Sequence, residues 1–235
     1  MDTLARLEDI HHIALEKLQK RFPLTAVNLK HPMPERPVRA LGLITLDGKA
    51  FSSNEFSRVV LMNIAIAFVS GVRTIFLCPR VELDLPVFSS EVILTGNSRA
   101  FFLDVQRRGG YDRHDDTELY NRLIAIKDHY GTLLANAKAH GGEIVKTFSK
   151  AACYVKTTKD QDEQAIHLFH EYLDVFLEVV HQAQPLTGEA LERARRDYDA
   201  YANTLIDHDP AAQVFKVLFG KKGGVERTLD LFFAC

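Results

Sequence analysis

The fold is decided by the stretch that begins at residue 41 with LGLITLDGKAFSS, residues 41–53. Apolar residues lie on both sides of Asp47-Gly48, a dipeptide that is typical of a two-residue β-turn. The pattern therefore predicts a β-hairpin whose strands are Leu41–Leu46 and Lys49–Ser53. So short a connection joins antiparallel strands, and we expect an antiparallel sheet.

A second hairpin is predicted immediately afterwards. The segment Arg58–Val69 is rich in Val, Ile, Phe and Ala, and Ser70-Gly71 separates it from a similar segment, Val72–Cys78. A helix over Glu55–Val69 is the competing prediction, because a continuous apolar run does not fix the period of the structure. We expect the hairpin.

A third hairpin, with strands Val87–Leu94 and Arg99–Val105, is predicted around Gly96-Asn97, and Thr147–Lys156 is the last expected strand. The expected helices lie within Met1–Lys20 and over Asp116–Lys138, Asp162–Gln184, Gly188–Ile206, Pro210–Phe219 and Val225–Phe233. This order indicates an α+β fold, in which helices flank a central antiparallel sheet. Residues 1–235 are expected to form one domain, with residues 1–38 as an N-terminal helical arm and linker.

The composition excludes several classes of protein. The 235-residue chain is 46% hydrophobic, and its net charge of -2 argues against a nucleic-acid-binding protein, which would be strongly basic. Three scattered cysteines, Cys78, Cys153 and Cys235, predict neither a disulfide framework nor an iron–sulfur cluster. The most apolar run, Val59–Val69, is too short to cross a bilayer. The segment Met1–Lys20 does not have the pattern of a signal peptide, so we expect a cytoplasmic protein without membrane contact.

Motifs for bound cofactors are absent from the sequence. It contains no GxGxxG, no GxxxxGK(S/T) and no GxSxG, so a nicotinamide site, a P-loop and a serine hydrolase elbow are unsupported. His167 and His170 share one helix face, as a metal pair could, but no third ligand has a recognisable spacing. The sequence pattern therefore supports no metal site.

Two acidic residues are candidates for proton transfer. Glu91 is the only charge in the strand Val87–Leu94, where burial would raise its pKa and suit it to donate a proton. The alternative is an edge Glu that points into solvent. Asp209 precedes Pro210, the usual pattern of a helix N-cap followed by proline, and a capping role alone would also explain it.

Several short motifs together resemble the ferredoxin-dependent bilin reductases. The matching residues are Pro79, Asp84-Leu85-Pro86-Val87-Phe88, Glu91, Phe148-Ser149, Asp209-Pro210-Ala211, Val217-Leu218-Phe219-Gly220 and Leu229-Asp230-Leu231-Phe232. The resemblance implies an α/β/α sandwich that binds biliverdin IXα between the sheet and the C-terminal helices. It also implies ferredoxin as the source of single electrons, with no bound metal or flavin. Heme oxygenase and a bilin-accepting protein are further candidate partners.

The resemblance assigns roles to individual residues. The catalytic acid on the sheet falls on Glu91, where the family usually has Asp, and the acid on the helix side falls on Asp209. Met62 and Thr74 occupy the positions of a Glu and a His that phycocyanobilin-forming members use, and neither can donate a proton as those would. The expected product is therefore phycoerythrobilin, formed by four electrons through 15,16-dihydrobiliverdin. The alternatives are a two-electron enzyme that stops at 15,16-dihydrobiliverdin, a phycocyanobilin-forming enzyme and a non-catalytic bilin-binding protein.

Charged groups are expected where the substrate and the electron donor bind. Biliverdin has two propionates, for which Arg99 is our candidate cation, although an exposed Arg beside a turn would fit the same pattern. Ferredoxins are acidic, and Lys216, Lys221 and Lys222 are the candidate docking residues, with a solvated charge run as the alternative. Val214, between Asp209 and these lysines, is a further candidate for substrate binding.

Overall fold

The computed structural model describes residues 6–37, 40–67, 70–108, 117–134 and 143–233. Seven strands in these ranges form one antiparallel sheet, whose spatial order is the order of the strands along the chain. The strands are β1 Thr25–Ala26, β2 Ile44–Ser52, β3 Phe56–Ile66, β4 Ser70–Pro79, β5 Val87–Thr95, β6 Ser98–Gln106 and β7 Cys153–Thr158.

Helices cover both faces of this sheet. The α-helices are α1 Ile10–Arg21, α2 Thr117–His129, α3 Gly131–Leu134, α4 Asp162–Gln182, α5 Gly188–His208, α6 Pro210–Phe219 and α7 Lys221–Phe232. Short 3-10 helices lie at Leu7–Asp9, Val81–Leu83, Glu143–Thr147 and Lys159–Gln161. The expected α+β fold and its α/β/α layering are confirmed.

Successive side chains along a strand point to opposite faces of the sheet. Apolar residues occupy both sets of positions, so both faces of this sheet are apolar. On one face Phe88 packs against Phe169 and Phe176 of α4, with ring centroids 5.7 and 5.5 Å away. On the other face Phe76 packs against Phe232 of α7 at 5.3 Å. Each helix layer therefore has its own core, and the sheet separates the two.

The predicted turn at Asp47-Gly48 is wrong. Both residues lie inside β2, where Gly48 pairs with Met62 of β3. The chain turns later, where the Ser53 hydroxyl accepts hydrogen bonds from the backbone N–H groups of Glu55 and Phe56. The long strand β3 pairs with β2 from Ile44 to Phe51, and this pairing overrides the local turn preference of Asp-Gly. A β-carbon on Gly48 would lie 3.6 Å from Leu231 of α7, so the glycine position lies directly under that helix.

The second and third hairpins are confirmed, and the helical alternative for Glu55–Val69 is wrong: β3 pairs antiparallel with β4, and β5 pairs with β6. Ser70-Gly71, expected between the strands of the second hairpin, instead lies inside β4, where both residues pair with β3. The expected strand Thr147–Lys156 begins too early, since β7 starts at Cys153. The last helix begins at Lys221 rather than at Val225. The long helix expected over Asp116–Lys138 is divided into α2 and α3 as far as residue 134, and its end lies outside the described residues.

Candidate active site

A cavity of about 330 Å³ lies between the sheet and the C-terminal helices α5, α6 and α7. Its walls are mainly apolar, and a small set of polar side chains from the strands, Thr74, Ser89, Glu91 and Gln106, converges on it. Asp209 reaches it from the helix side. A cavity of this size with apolar walls and few polar groups is the usual form of a small-molecule site.

Glu91 lies in the middle of the sheet floor, where β5 pairs with Thr74 of β4 and Phe102 of β6. Ser89 and Ile93 share its face of β5, and both line the cavity. Burial raises the pKa of Glu91 to about 7, and the nearby negative charge of Asp209 adds to this effect. The carboxyl group therefore retains a proton to near-neutral pH, as a proton donor requires.

Asp209 combines a structural role with a place in the cavity wall. It is the N-cap of α6, where one carboxylate oxygen accepts hydrogen bonds from the N–H groups of Ala211 and Ala212 at 2.8 and 3.2 Å. Burial raises the pKa of Asp209, and the two N–H donors oppose that rise because they stabilise the charged form. The capping prediction for Asp209-Pro210 is confirmed, and capping leaves the side chain facing the cavity.

The cavity therefore has an acid on its sheet side and another on its helix side. Glu91 and Asp209 belong to different layers, so a flat apolar ligand bound between the layers would have one carboxyl on each side. Both groups hold protons more tightly than ordinary carboxyls, because both are buried. Such an arrangement can protonate a ligand at two separate positions.

The remaining candidates for substrate binding differ in position. Thr74 lines the cavity beside Glu91, and its buried hydroxyl oxygen has no hydrogen-bond partner among the described residues. Val214 of α6 also lines the cavity and is 39% exposed. Met62 pairs with Thr74 in the neighbouring strand, but it is fully buried in the core beneath α7 and lies outside the lining.

The placement of Arg99 at the mouth of the cavity is wrong. Its side chain is buried on the opposite face of the sheet. There its Nε atom lies 3.2 Å from Oδ1 of Asp162, and its Nη2 atom lies 3.3 Å from Oε1 of Glu8, so it forms two ion pairs. It pairs across the hairpin with Leu94, which faces away from Glu91. Arg99 therefore joins α4 to the segment before α1, and it does not face the substrate cavity.

The three lysine candidates lie around the junction of α6 and α7. Lys216 is only partly exposed and donates a hydrogen bond to the Ile206 carbonyl oxygen at 2.6 Å, which ties α6 to α5. Lys221 and Lys222 are exposed, and the Nζ atom of Lys222 lies 3.7 Å from Oε1 of Glu226. The two exposed lysines are the ones accessible to a protein partner.

Sequence reasoning missed a buried polar cluster beside the cavity. Asp104 of β6 is fully buried and accepts hydrogen bonds from the Ser149 backbone and hydroxyl and from the Val105 N–H. Burial raises its pKa to about 6, against the effect of these bonds. The cluster fixes the segment that supplies Phe148 to the cavity wall. A lone acid in the apolar strand Arg99–Val105 was the available signal.

Comparisons with known proteins identify the family of the chain. Residues 11–226 match the family model described as ferredoxin-dependent bilin reductase. The chain is 25% identical over 174 residues to phycoerythrobilin:ferredoxin oxidoreductase of Prochlorococcus marinus strain MIT 9301, covering 72% of this chain and 68% of that protein. It is 23% identical over 214 residues to the Gloeobacter violaceus protein of the same name, covering 88% and 87%.

The fold is also similar to a solved structure. The crystal structure of phytochromobilin synthase from tomato in complex with biliverdin superposes with a TM-score of 0.81 at 18% identity, covering 96% of this chain and 82% of that one. The family match spans nearly the whole chain. The chain belongs to the ferredoxin-dependent bilin reductase family. It is an oxidoreductase that acts on CH–CH groups with ferredoxin as the electron donor.

Two further findings concern the described residues alone. They include no group of three or more His, Cys, Asp or Glu side chains that could hold a metal ion. Within the same ranges, no helix is long and apolar enough to cross a membrane.

Proposed function

We propose that this enzyme reduces biliverdin IXα by four electrons to phycoerythrobilin, through 15,16-dihydrobiliverdin, with reduced ferredoxin as the donor. The observation that supports this most strongly is the pair Glu91 and Asp209, two partly buried acids that face one apolar cavity from opposite layers. The names of the relatives in Prochlorococcus and Gloeobacter agree with this product. The tomato structure, whose fold is shared, is a complex with biliverdin.

In the proposed reaction, four single electrons from ferredoxin and four protons add to biliverdin. The first and third electrons make the bilin a radical, and the second and fourth return it to a closed shell. Each added electron makes the bilin more basic, and a carboxylic acid beside it supplies the proton. Glu91 protonates the bilin near the 15,16 bridge, and Asp209 serves the A-ring diene. Each carboxylate then regains a proton from water before the next step. The raised pKa of both acids favours the protonated, donating form at the start of each step.

The side chains at positions 62 and 74 argue against phycocyanobilin as the product. Met62 and Thr74 replace the Glu and His of the resemblance, and they cannot release a proton at neutral pH. Two acids match two sites of reduction. A two-electron enzyme would need Glu91 alone, and Asp209 would then serve only as the N-cap of α6.

The enzyme itself is proposed to bind no redox cofactor, so the electrons arrive from outside. Lys221 and Lys222, near the helix-side wall, are the proposed contacts for the acidic surface of ferredoxin, and Lys216 supports them by joining α6 to α5. We place the reaction in a reducing, cytoplasmic compartment, in keeping with the buried free thiols of Cys78 and Cys153.

An anaerobic assay with biliverdin, reduced ferredoxin and product chromatography tests the proposal. We expect the biliverdin absorbance to bleach and phycoerythrobilin to form, preceded by 15,16-dihydrobiliverdin. Accumulation of 15,16-dihydrobiliverdin as the end product would identify a two-electron enzyme, and phycocyanobilin would mean that other donors replace Met62 and Thr74. A coloured complex that does not bleach would indicate a binding protein without catalysis.

A further inference from the structure

The register of the sheet places one lysine on the same face as the cavity. Ile64, Val72 and Ile93 line the cavity and form a row across β3, β4 and β5. The row continues through Ala100 of β6 to Lys156 of β7. Since directly paired residues on neighbouring strands share a face, Lys156 lies on the cavity face of the sheet, at its edge.

A second observation places Lys156 close to the cavity. Tyr154 lies two residues earlier on β7 and lines the cavity. Residues two apart on a strand point to the same side and are separated by about 7 Å. The flexible four-carbon stem of Lys156 therefore allows its ammonium group to reach the rim next to Tyr154.

The ammonium group of Lys156 has no partner within the described part of the fold. Its side chain is exposed and forms no ion pair or hydrogen bond there. By contrast, Arg99 is paired with Asp162, and Lys216 is bonded to the Ile206 carbonyl oxygen. An unpaired cation at the rim is available to a ligand.

The described lining of the cavity interior offers no cationic side chain to an anionic ligand. Among the described residues that line the cavity, none is Lys or Arg, whereas Glu91 and Asp209 are both present. A carboxylate on the ligand would be repelled by these acids once they ionise, and it would have no cationic partner inside. The ligand must therefore bind with its carboxylates directed outward.

We propose that Lys156 binds a carboxylate side chain of the substrate and so fixes which way the substrate enters the cavity. The inference rests on the proposed function, in which the substrate is a linear tetrapyrrole with two propionates. Lys156 takes the role that Arg99 cannot have, because Arg99 faces the other helix layer.

The test is titration of the protein with biliverdin and with biliverdin dimethyl ester, followed by absorbance. We expect Lys156→Gln to weaken biliverdin binding about fivefold, which is typical of a partly exposed ion pair, and to leave ester binding unchanged. Lys156→Arg should retain the wild-type affinity. Lys159→Gln, which removes another exposed lysine just beyond β7, is the matched control and should behave as wild type.

The wild-type affinity for biliverdin should also fall as salt is raised, and Lys156→Gln should show a weaker dependence on salt. If Lys156→Gln binds biliverdin as tightly as Lys159→Gln does, the inference is overturned while the proposed function stands. If the wild-type protein binds neither compound, the proposed function fails and the inference falls with it.

Discussion

Replacing Glu91 by Gln should change how the stability of the protein depends on pH. Gln keeps the size of the side chain and removes its proton. Burial raises the pKa of Glu91 from the ordinary 4.5 to about 7 in the folded protein. One pKa unit corresponds to about 1.4 kcal/mol, so this rise corresponds to roughly 3 kcal/mol of folding free energy.

The sign of the effect follows from proton binding. Between pH 4.5 and 7 the folded state holds the Glu91 proton more tightly than the unfolded state does. The contribution of Glu91 is therefore fully present below pH 4.5 and is lost as the pH rises through about 7. Glu91→Gln should be similar to wild type at pH 4.5 and more stable than wild type above pH 7 by a few kcal/mol.

Denaturant unfolding at a series of pH values measures this difference directly. Glu35→Gln is the matched control, because Glu35 is exposed, and its profile should run parallel to that of wild type. Parallel profiles for Glu91→Gln and wild type would refute the assignment of a buried, protonated Glu91.

Three further predictions concern the site and its surroundings. Bilin reduction should slow as the pH rises through about 7, because Glu91 then loses the proton that it donates; a rate independent of pH from 6 to 8 would count against this role. Arg99→Met should destabilise the fold by about 3 kcal/mol, since Asp162 loses a buried partner, and biliverdin affinity measured on the folded variant should not change. Thr74→Val removes a buried hydroxyl that has no partner in the described part of the chain, so the free protein should gain about 1 kcal/mol in its free energy of unfolding, measured with denaturant, and should bind biliverdin more weakly. Unchanged affinity would remove Thr74 from the substrate site.

The sequence predicted the layers of the fold better than its registers. The second and third hairpins and the helix Pro210–Phe219 were recoverable because local signals, an apolar run, a two-residue turn or an Asp-Pro cap, coincide with the tertiary structure. Asp47-Gly48 was misinterpreted because pairing with β3 outweighs the turn preference of two residues. The start of β7 was missed because Ser149 bonds to Asp104 instead of entering a strand ladder.

The two acids were predictable as residues, but their proximity in one cavity was not. Glu91 stands out as a lone charge in an apolar strand, and Asp209 as a helix cap. Their shared environment depends on the packing of α6 over β5, which no local pattern specifies. The position of Arg99 on the face opposite the cavity follows from the sequence itself. A two-residue turn pairs Arg99 with Leu94, and the Leu94 side chain faces away from that of Glu91.

The central claim is that Glu91 and Asp209 protonate the bilin at two different positions, and Asp209→Asn tests it most directly. Asn preserves the helix cap, so the variant should fold and bind biliverdin. In the anaerobic assay with reduced ferredoxin we predict that it bleaches biliverdin and accumulates 15,16-dihydrobiliverdin. Formation of phycoerythrobilin at the wild-type rate would contradict the account.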